Sequence, residues 1–325
     1  MTAWLFRFQS LFGLVLVFLA AVVFSPVRNG ELLFLDSGNL FNVVRAMSEI
    51  GILAVGMTFV ILIGGIDLSV GSVLGLASVG AAVLLVRQDF GVLPAVLAVL
   101  AAGLVFGLLQ GVVTAKLGIQ AFIVTLAGMQ IARALARIFS GGQGVEIAYG
   151  DAPGRAPTAF SLLGERTFGG LVPVPALIFA VVAGLAAVLL RVTAFSRHVY
   201  AIGGNEKAAR LSGVPVDRVK ILVFGLCGLL AGLAGIVHAG QLNYGGPNDG
   251  SMAELDAIAA VVIGGASLSG GRGTVVGTVA GALLVGVLRN ILTLNNVDSN
   301  VQLLIIGLVI VAAAGLQRLR PAAVG

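Results

Sequence analysis

The chain has 325 residues, 58% of them hydrophobic and 10% charged, with a mean hydropathy of +1.10 and a formal charge of +5. A soluble domain carries about 25% charged residues, so this composition excludes an ordinary globular surface and indicates an all-α integral membrane protein. One cysteine, Cys227, and two histidines far apart exclude a disulfide framework and argue against a zinc site. The basic residues lie in loops between apolar runs, where they set orientation in the membrane rather than bind nucleic acid. The 47 glycines suit closely packed membrane helices, and no G-X-Y period points to collagen.

In chain order, the first apolar run is 4–25, with Arg7 as its only charge and Trp4, Phe6 and Phe8 suited to a membrane interface. A cleaved signal peptide is the other reading of this run. A polar stretch, 27–47, follows. Spans at 48–63 and 68–86 flank a glycine-rich break, and two more cover 92–114 and 121–139. A long polar loop, 140–170, precedes a span at 171–190. A charged island follows, then a span at 221–240. Segment 255–263 is too short for a full crossing, which needs about 20 helical residues. Spans at 274–288 and 301–316 complete about ten segments, some short or broken.

Orientation follows from the basic residues. With the N-terminus inside, the inner side holds Arg7, Lys116, Arg191, Arg197, Lys207, Arg210, Arg218, Lys220, Arg272, Arg318 and Arg320, but only three acids, Asp67, Glu206 and Asp217. The island at 192–220 and both termini are therefore expected in the cytoplasm.

Two strings echo each other: IGGIDLSVG at 63–71 and IGGASLSGG at 263–271 share six of nine positions. Paired glycine-interrupted segments in two halves of a transporter point to the substrate path. Freed backbone groups are tolerated in lipid only where protein or a watery cavity satisfies them. Gly64, Gly65, Asp67, Ser69, Gly264, Gly265, Ser267 and Ser269 are thus expected along a low-affinity path, with Ser69 and Ser269 supplying hydrogen bonds or capping the next helix. An acid among spans is a functional candidate, but Asp67 also stands where an N-cap of the third span would. Arg133 and Arg137 are four apart on one face of the fifth span. Arg137 is expected to snorkel outward; Arg133 lies deeper, lining the cavity or pairing with an acid such as Glu49.

Within the island, Gly204, Asn205, Glu206, Lys207, Ala208, Ala209, Arg210, Leu211, Ser212 and Gly213 form one unit. Asn205 is a good N-cap and Glu206 suits the positive end of the dipole. Ala208, Ala209 and Leu211 give a small apolar face. Gly213 is a natural C′ residue and Pro215 stops the helix. A helix of about two turns, too polar to span, suits docking of a soluble partner.

Four ordered blocks carry a resemblance: GMTFVILIGGIDLSVGS (56–72), AIGGNEKAARLSGV (201–214), GLLAGLAG (228–235) and ELDAIAAVVIGGASLSGGRGTVVGT (254–278). TLAGMQIARALARIFSGG (125–142) fits the same pattern and makes Arg133 a motif residue. From about residue 40 to 316 the chain resembles the permease subunit of bacterial ribose-type ABC importers, within the branched-chain amino acid and sugar permease superfamily. The resemblance implies a type II importer fold, a pore of two copies or of this chain with a sister permease, and an extracytoplasmic sugar-binding protein. It also implies two ATPase subunits that bind ATP and Mg and dock on 204–213. After Gly281 the pattern departs: Arg289, Asn295, Asn296 and Asp298 make the outer end more polar.

The chain holds no ATPase of its own, since its lysines, Lys116, Lys207 and Lys220, follow Ala, Glu and Val rather than the glycine a P-loop needs. No cofactor is expected in it. Rival readings are a branched-chain amino acid or nucleoside permease, an ion-coupled secondary transporter, and a membrane anchor. The secondary transporter requires ionisable relays within the spans, which are nearly bare beyond Glu49, Asp67 and Arg133.

Overall fold

The computed structural model describes residues 9–167 and 169–318. Trp4, Phe6, Arg7, Phe8 and Arg320 lie outside the described residues. Twelve α-helices are described: α1 (Gln9–Val23), α2 (Ser37–Leu62), α3 (Val70–Ala82, continued by a π turn to Arg87), α4 (Val92–Lys116), α5 (Ala121–Ser140) and α6 (Val174–Val192), then α7 (Ala194–Gly204), α8 (Glu206–Leu211), α9 (Val216–Leu242), α10 (Ala253–Ile263), α11 (Val275–Leu294) and α12 (Ser299–Arg318). Seven of them, α2 to α6, α9 and α11, are long and apolar enough to cross a membrane. Sheet is confined to three two-stranded ribbons at loop level, as expected of an all-α membrane protein.

The centre of the fold is α2, buried without a break from Gly51 to Leu62. It begins at Ser37, eleven residues before the expected span. Asp36 caps it by accepting the Asn39 N–H at 2.9 Å. The polar residues that made 27–47 read as a loop sit on a helix whose neighbours satisfy them: Asn39 pairs with Asn290, and Arg45 donates to the Gly164 carbonyl. Membrane helices tolerate polar groups where a partner helix supplies the other half of the hydrogen bond.

The closest helix pair is α4 with α9. A Cβ on Gly107 would collide with the Phe224 carbonyl oxygen, and one on Gly228 with that of Gly103. Small residues here let the backbones meet. Gly107→Val is expected to cost about 1–3 kcal/mol through overpacking, read as a lowered thermal transition of the detergent-solubilised protein. A transition equal to that of the unmodified protein would show that the interface yields.

One crossing is not helical throughout. After α9 the chain turns at Asn243, in the left-handed region (φ 52°), and pairs Tyr244–Gly245 with Val145–Glu146. It then descends beside α3, where Gly245 lies against Ser78 and Ala82, Asp249 against Gly75, and Gly250 against Gly71. Only then does α10 begin. The short span expected at 255–263 is thus the second half of a broken crossing whose first half is a non-helical run of turns.

Candidate functional site

The charged island is built as its residues dictate. Thr193 caps α7 by accepting the Ser196 N–H, and Asn205 caps α8 by accepting the Ala208 N–H at 3.0 Å. Gly213 adopts φ +83°, the left-handed turn that ends α8. The six residues of α8 are held to the root of α9 by charge: Lys220 meets Glu206 at 2.8 Å, and Arg210 meets Asp217 at 2.7 Å. Lys116, at the end of α4, also reaches Asp217, at 3.4 Å. At the surface such pairs contribute little individually; together they fix the orientation of α8.

The apolar face of α8 differs from expectation in one residue. Ala209 turns inward and is buried, whereas Ala208 is exposed and Leu211 is 90% exposed. Lys207 and Ser212 are exposed beside them. Leu211 thus stands open on a short charged helix, packed against none of the core.

The two echo strings converge under this island. Gly271 donates its N–H to the Leu62 carbonyl at 2.9 Å, and Ser269 lies beside Gly64. A Cβ on Gly203, at the end of α7, would collide with the Leu62 carbonyl and the Gly271 nitrogen. Through Gly203, α7 therefore touches the end of α2 and the loop between α10 and α11 backbone to backbone. A cavity of about 390 Å³ opens at the junction, lined by Gly64, Gly65, Gln120, Glu206 and Arg210 among others.

Within the echo the turns are alike but shifted. Gly64 (φ 78°) ends α2, while Gly265 (φ 90°), not Gly264, ends α10. Asp67 Oδ1 accepts the Ser69 N–H at 2.8 Å, and Ser267 Oγ accepts the Ser269 N–H at 3.3 Å. Positions 67 and 267 thus do the same work with different residues.

Asp67 does not cap α3. It stands two residues before the N-cap position, which is Ser69, and Ser69 makes no side-chain cap bond. Asp67 is instead fully buried, taking the Ser69 hydroxyl at 2.6 Å beside Cys227. Gln110 of α4 donates to Ser69 Oγ at 2.9 Å, and Thr125 of α5 to the Ile66 carbonyl at 3.1 Å. Ser269 caps no helix either; Thr274 caps α11 by accepting the Gly277 N–H.

Arg133 lies apart from this junction. It does not pair with Glu49: one guanidinium nitrogen donates to the carbonyls of Pro247 (2.8 Å) and Asp249 (2.7 Å) in the non-helical half-crossing. Arg137 is exposed and donates to Asn248 Oδ1 at 3.1 Å. Glu49, near the middle of α2, takes His238 Nδ1 at 2.7 Å and Gln241 Nε2 at 2.8 Å. His238 Nε2 faces Asp249 at 3.4 Å, and Asp249 also takes the Ser78 hydroxyl and the Gly246 N–H. This bridge went unnoticed in the sequence because its members, Glu49, His238 and Asp249, are 11 to 200 residues apart and follow no motif spacing. One signal was available: Gly71, Gly75, Ser78 and Ala82 form a small-residue stripe on α3, the groove in which the half-crossing lies.

A family model described as "Branched-chain amino acid transport system / permease component" matches residues 39–314. The chain belongs to this permease family. It is 42% identical to the ribose import permease protein of Escherichia coli K12 over 96% of this chain and 93% of that one. It is 39% identical to the L-arabinose transport system permease protein of the same organism, over 94% and 90%. To the xylose transport system permease protein of Haemophilus influenzae it is 34% identical, over 95% and 97%. These matches run through both the island and the broken crossing, so the permease family accounts for the whole described architecture rather than one block of it.

Proposed function

We propose that this chain is the membrane-spanning permease subunit of an ATP-driven monosaccharide importer in the bacterial inner membrane. The observation that carries it is the island: an exposed leucine on a helix clamped by ion pairs, joined through α7 by backbone contact to the end of α2 and to the loop between α10 and α11. Cytoplasmic ATPase subunits, with their ATP and Mg, dock on Gly204–Gly213. A second copy completes the pore, and an extracytoplasmic sugar-binding protein delivers cargo. The island and both termini face the cytoplasm, where basic residues accumulate.

In this reading ATP draws the partner subunits together, the two α8 helices follow, and the end of α2 and the loop between α10 and α11 move with them through Gly203. The pore responds because the ATP-bound partner favours one of its two conformations. Gly64, Gly65, Asp67, Ser69, Gly264, Gly265, Ser267 and Ser269 form the cytoplasmic mouth of the path, and Arg133 steadies its deeper part. The relatives named for ribose, xylose and arabinose support a pentose as cargo. The family description supports a branched-chain amino acid as the second reading.

The test is uptake by proteoliposomes holding the permease, its ATPase and its binding protein. Uptake is expected to require ATP and to stop with vanadate. Uptake driven equally well by a proton or sodium gradient, with no ATP, would refute the proposal.

A further inference from the structure

The half-crossing at 243–252 brings polar groups to a depth where the chain otherwise has few. It lies against Gly71, Gly75 and Ser78 of α3, inside a helix of membrane-spanning length. Irregular backbone at such depth persists only where it is buried in protein or lines water. Its inward side is accounted for. Arg133 takes two of its carbonyls, and Asp249 is bound by Ser78, Gly246 and His238.

Its other side is open. Asn248 and Ser251 are both exposed. Asn248 Oδ1 accepts from Arg137, whereas its amide N–H2 group has no hydrogen-bond partner among the described residues. The Ser251 hydroxyl donates to the Asn248 carbonyl at 2.6 Å, which leaves its oxygen free to accept. An amide donor and a hydroxyl acceptor three residues apart cannot face acyl chains without a large desolvation cost. They require water or a ligand.

We propose that Asn248 and Ser251 form a contact point for the transported monosaccharide. The proposal rests on the permease reading above. A sugar hydroxyl both donates and accepts, matching the pair on offer. Of the charged groups around the pair, Glu49, Asp249 and Arg133 are engaged with the protein itself, and Arg137 is exposed and donates to Asn248 Oδ1. Arg133 and the Glu49–His238–Asp249 bridge are positioning residues that hold the contact point at its depth.

The experiment uses the complete importer in proteoliposomes, with Cys227→Ala as background and single cysteines introduced as Asn248→Cys and Ser251→Cys. A membrane-impermeant sulfonated thiol reagent probes both, during turnover and after vanadate trapping. The cargo is whichever of ribose, xylose and arabinose the unsubstituted importer takes up. Both cysteines are expected to react in at least one state, and sugar is expected to slow the reaction. Asn248→Leu is expected to lower uptake roughly fivefold to tenfold, the size of one lost hydrogen bond, while ATP hydrolysis stays within about twofold. Failure of both cysteines to react in every state, or undiminished uptake by Asn248→Leu, would overturn the contact point on an active importer. An unsubstituted importer without ATP-driven uptake would instead overturn the permease reading, and this site with it.

Discussion

Leu211→Glu is expected to abolish ATP-driven uptake while leaving the permease folded. Leu211 is 90% exposed and touches little of its own chain, so its replacement disturbs no core; substitutions at such positions usually fall within about 0.5 kcal/mol. On the partner side the change is large. An apolar anchor at the centre of an interface contributes about 2 kcal/mol or more, and a carboxylate driven into its pocket adds a desolvation cost. The measurement is paired: thermal unfolding of the isolated variant, and co-purification with the ATPase. Unchanged unfolding with lost co-purification is the expected result. Retained ATPase and full uptake would remove α8 from the docking surface.

The second large effect is at Arg133. Arg133→Met keeps the length and apolar stem of the side chain but removes the donors to the Pro247 and Asp249 carbonyls. A buried acceptor left unsatisfied costs about 1–3 kcal/mol, and two share this donor. Pro247 has no N–H of its own, so the turn has few other ways to hold its place. The half-crossing is expected to loosen, with at least roughly tenfold lower uptake, about 1.4 kcal/mol in the transport barrier. Membrane insertion is expected to persist, because the helices long enough to span are untouched. Hydrogen exchange over 243–252 reads the local effect: faster exchange there, with α2 still protected, is the expected pattern. Uptake and exchange like those of the unsubstituted protein would show that the two carbonyls find other donors.

Several parts of the molecule were legible in the residues because each rests on local chemistry. The apolar runs mark most of the spans. Asn205, Gly213 and Pro215 bound α8 through capping and turn preferences alone. The echo at 63–71 and 263–271 pointed to paired breaks, and these lie side by side.

What escaped the sequence was set by tertiary partners. The start of α2 was hidden because Asn39 and Arg45 read as loop until Asn290 and Gly164 are brought beside them. Asp67 has the spacing of a cap, yet Ser69, Gln110 and Cys227 close around it instead. Ala209 carries the same side chain as Ala208, and only the rotation of α8 against α9 decides which one faces out. Arg133 went to backbone carbonyls, partners that no pattern of side chains announces.

The same contacts tie the island to the rest of the molecule. Gly203 admits no side chain against Leu62 and Gly271, so α7 cannot slide without carrying the end of α2 and the loop between α10 and α11. A close-packed junction of this kind transmits displacement rather than absorbing it.

The most direct measurement is the distance between two spin labels, one beside each α8 helix of a two-permease importer, attached through Arg218→Cys, which is exposed and outside Gly204–Gly213, in a Cys227→Ala background. A shorter distance with ATP and a longer one after hydrolysis is the expected result. A single distance, unchanged by nucleotide in an importer that still moves sugar, would contradict it.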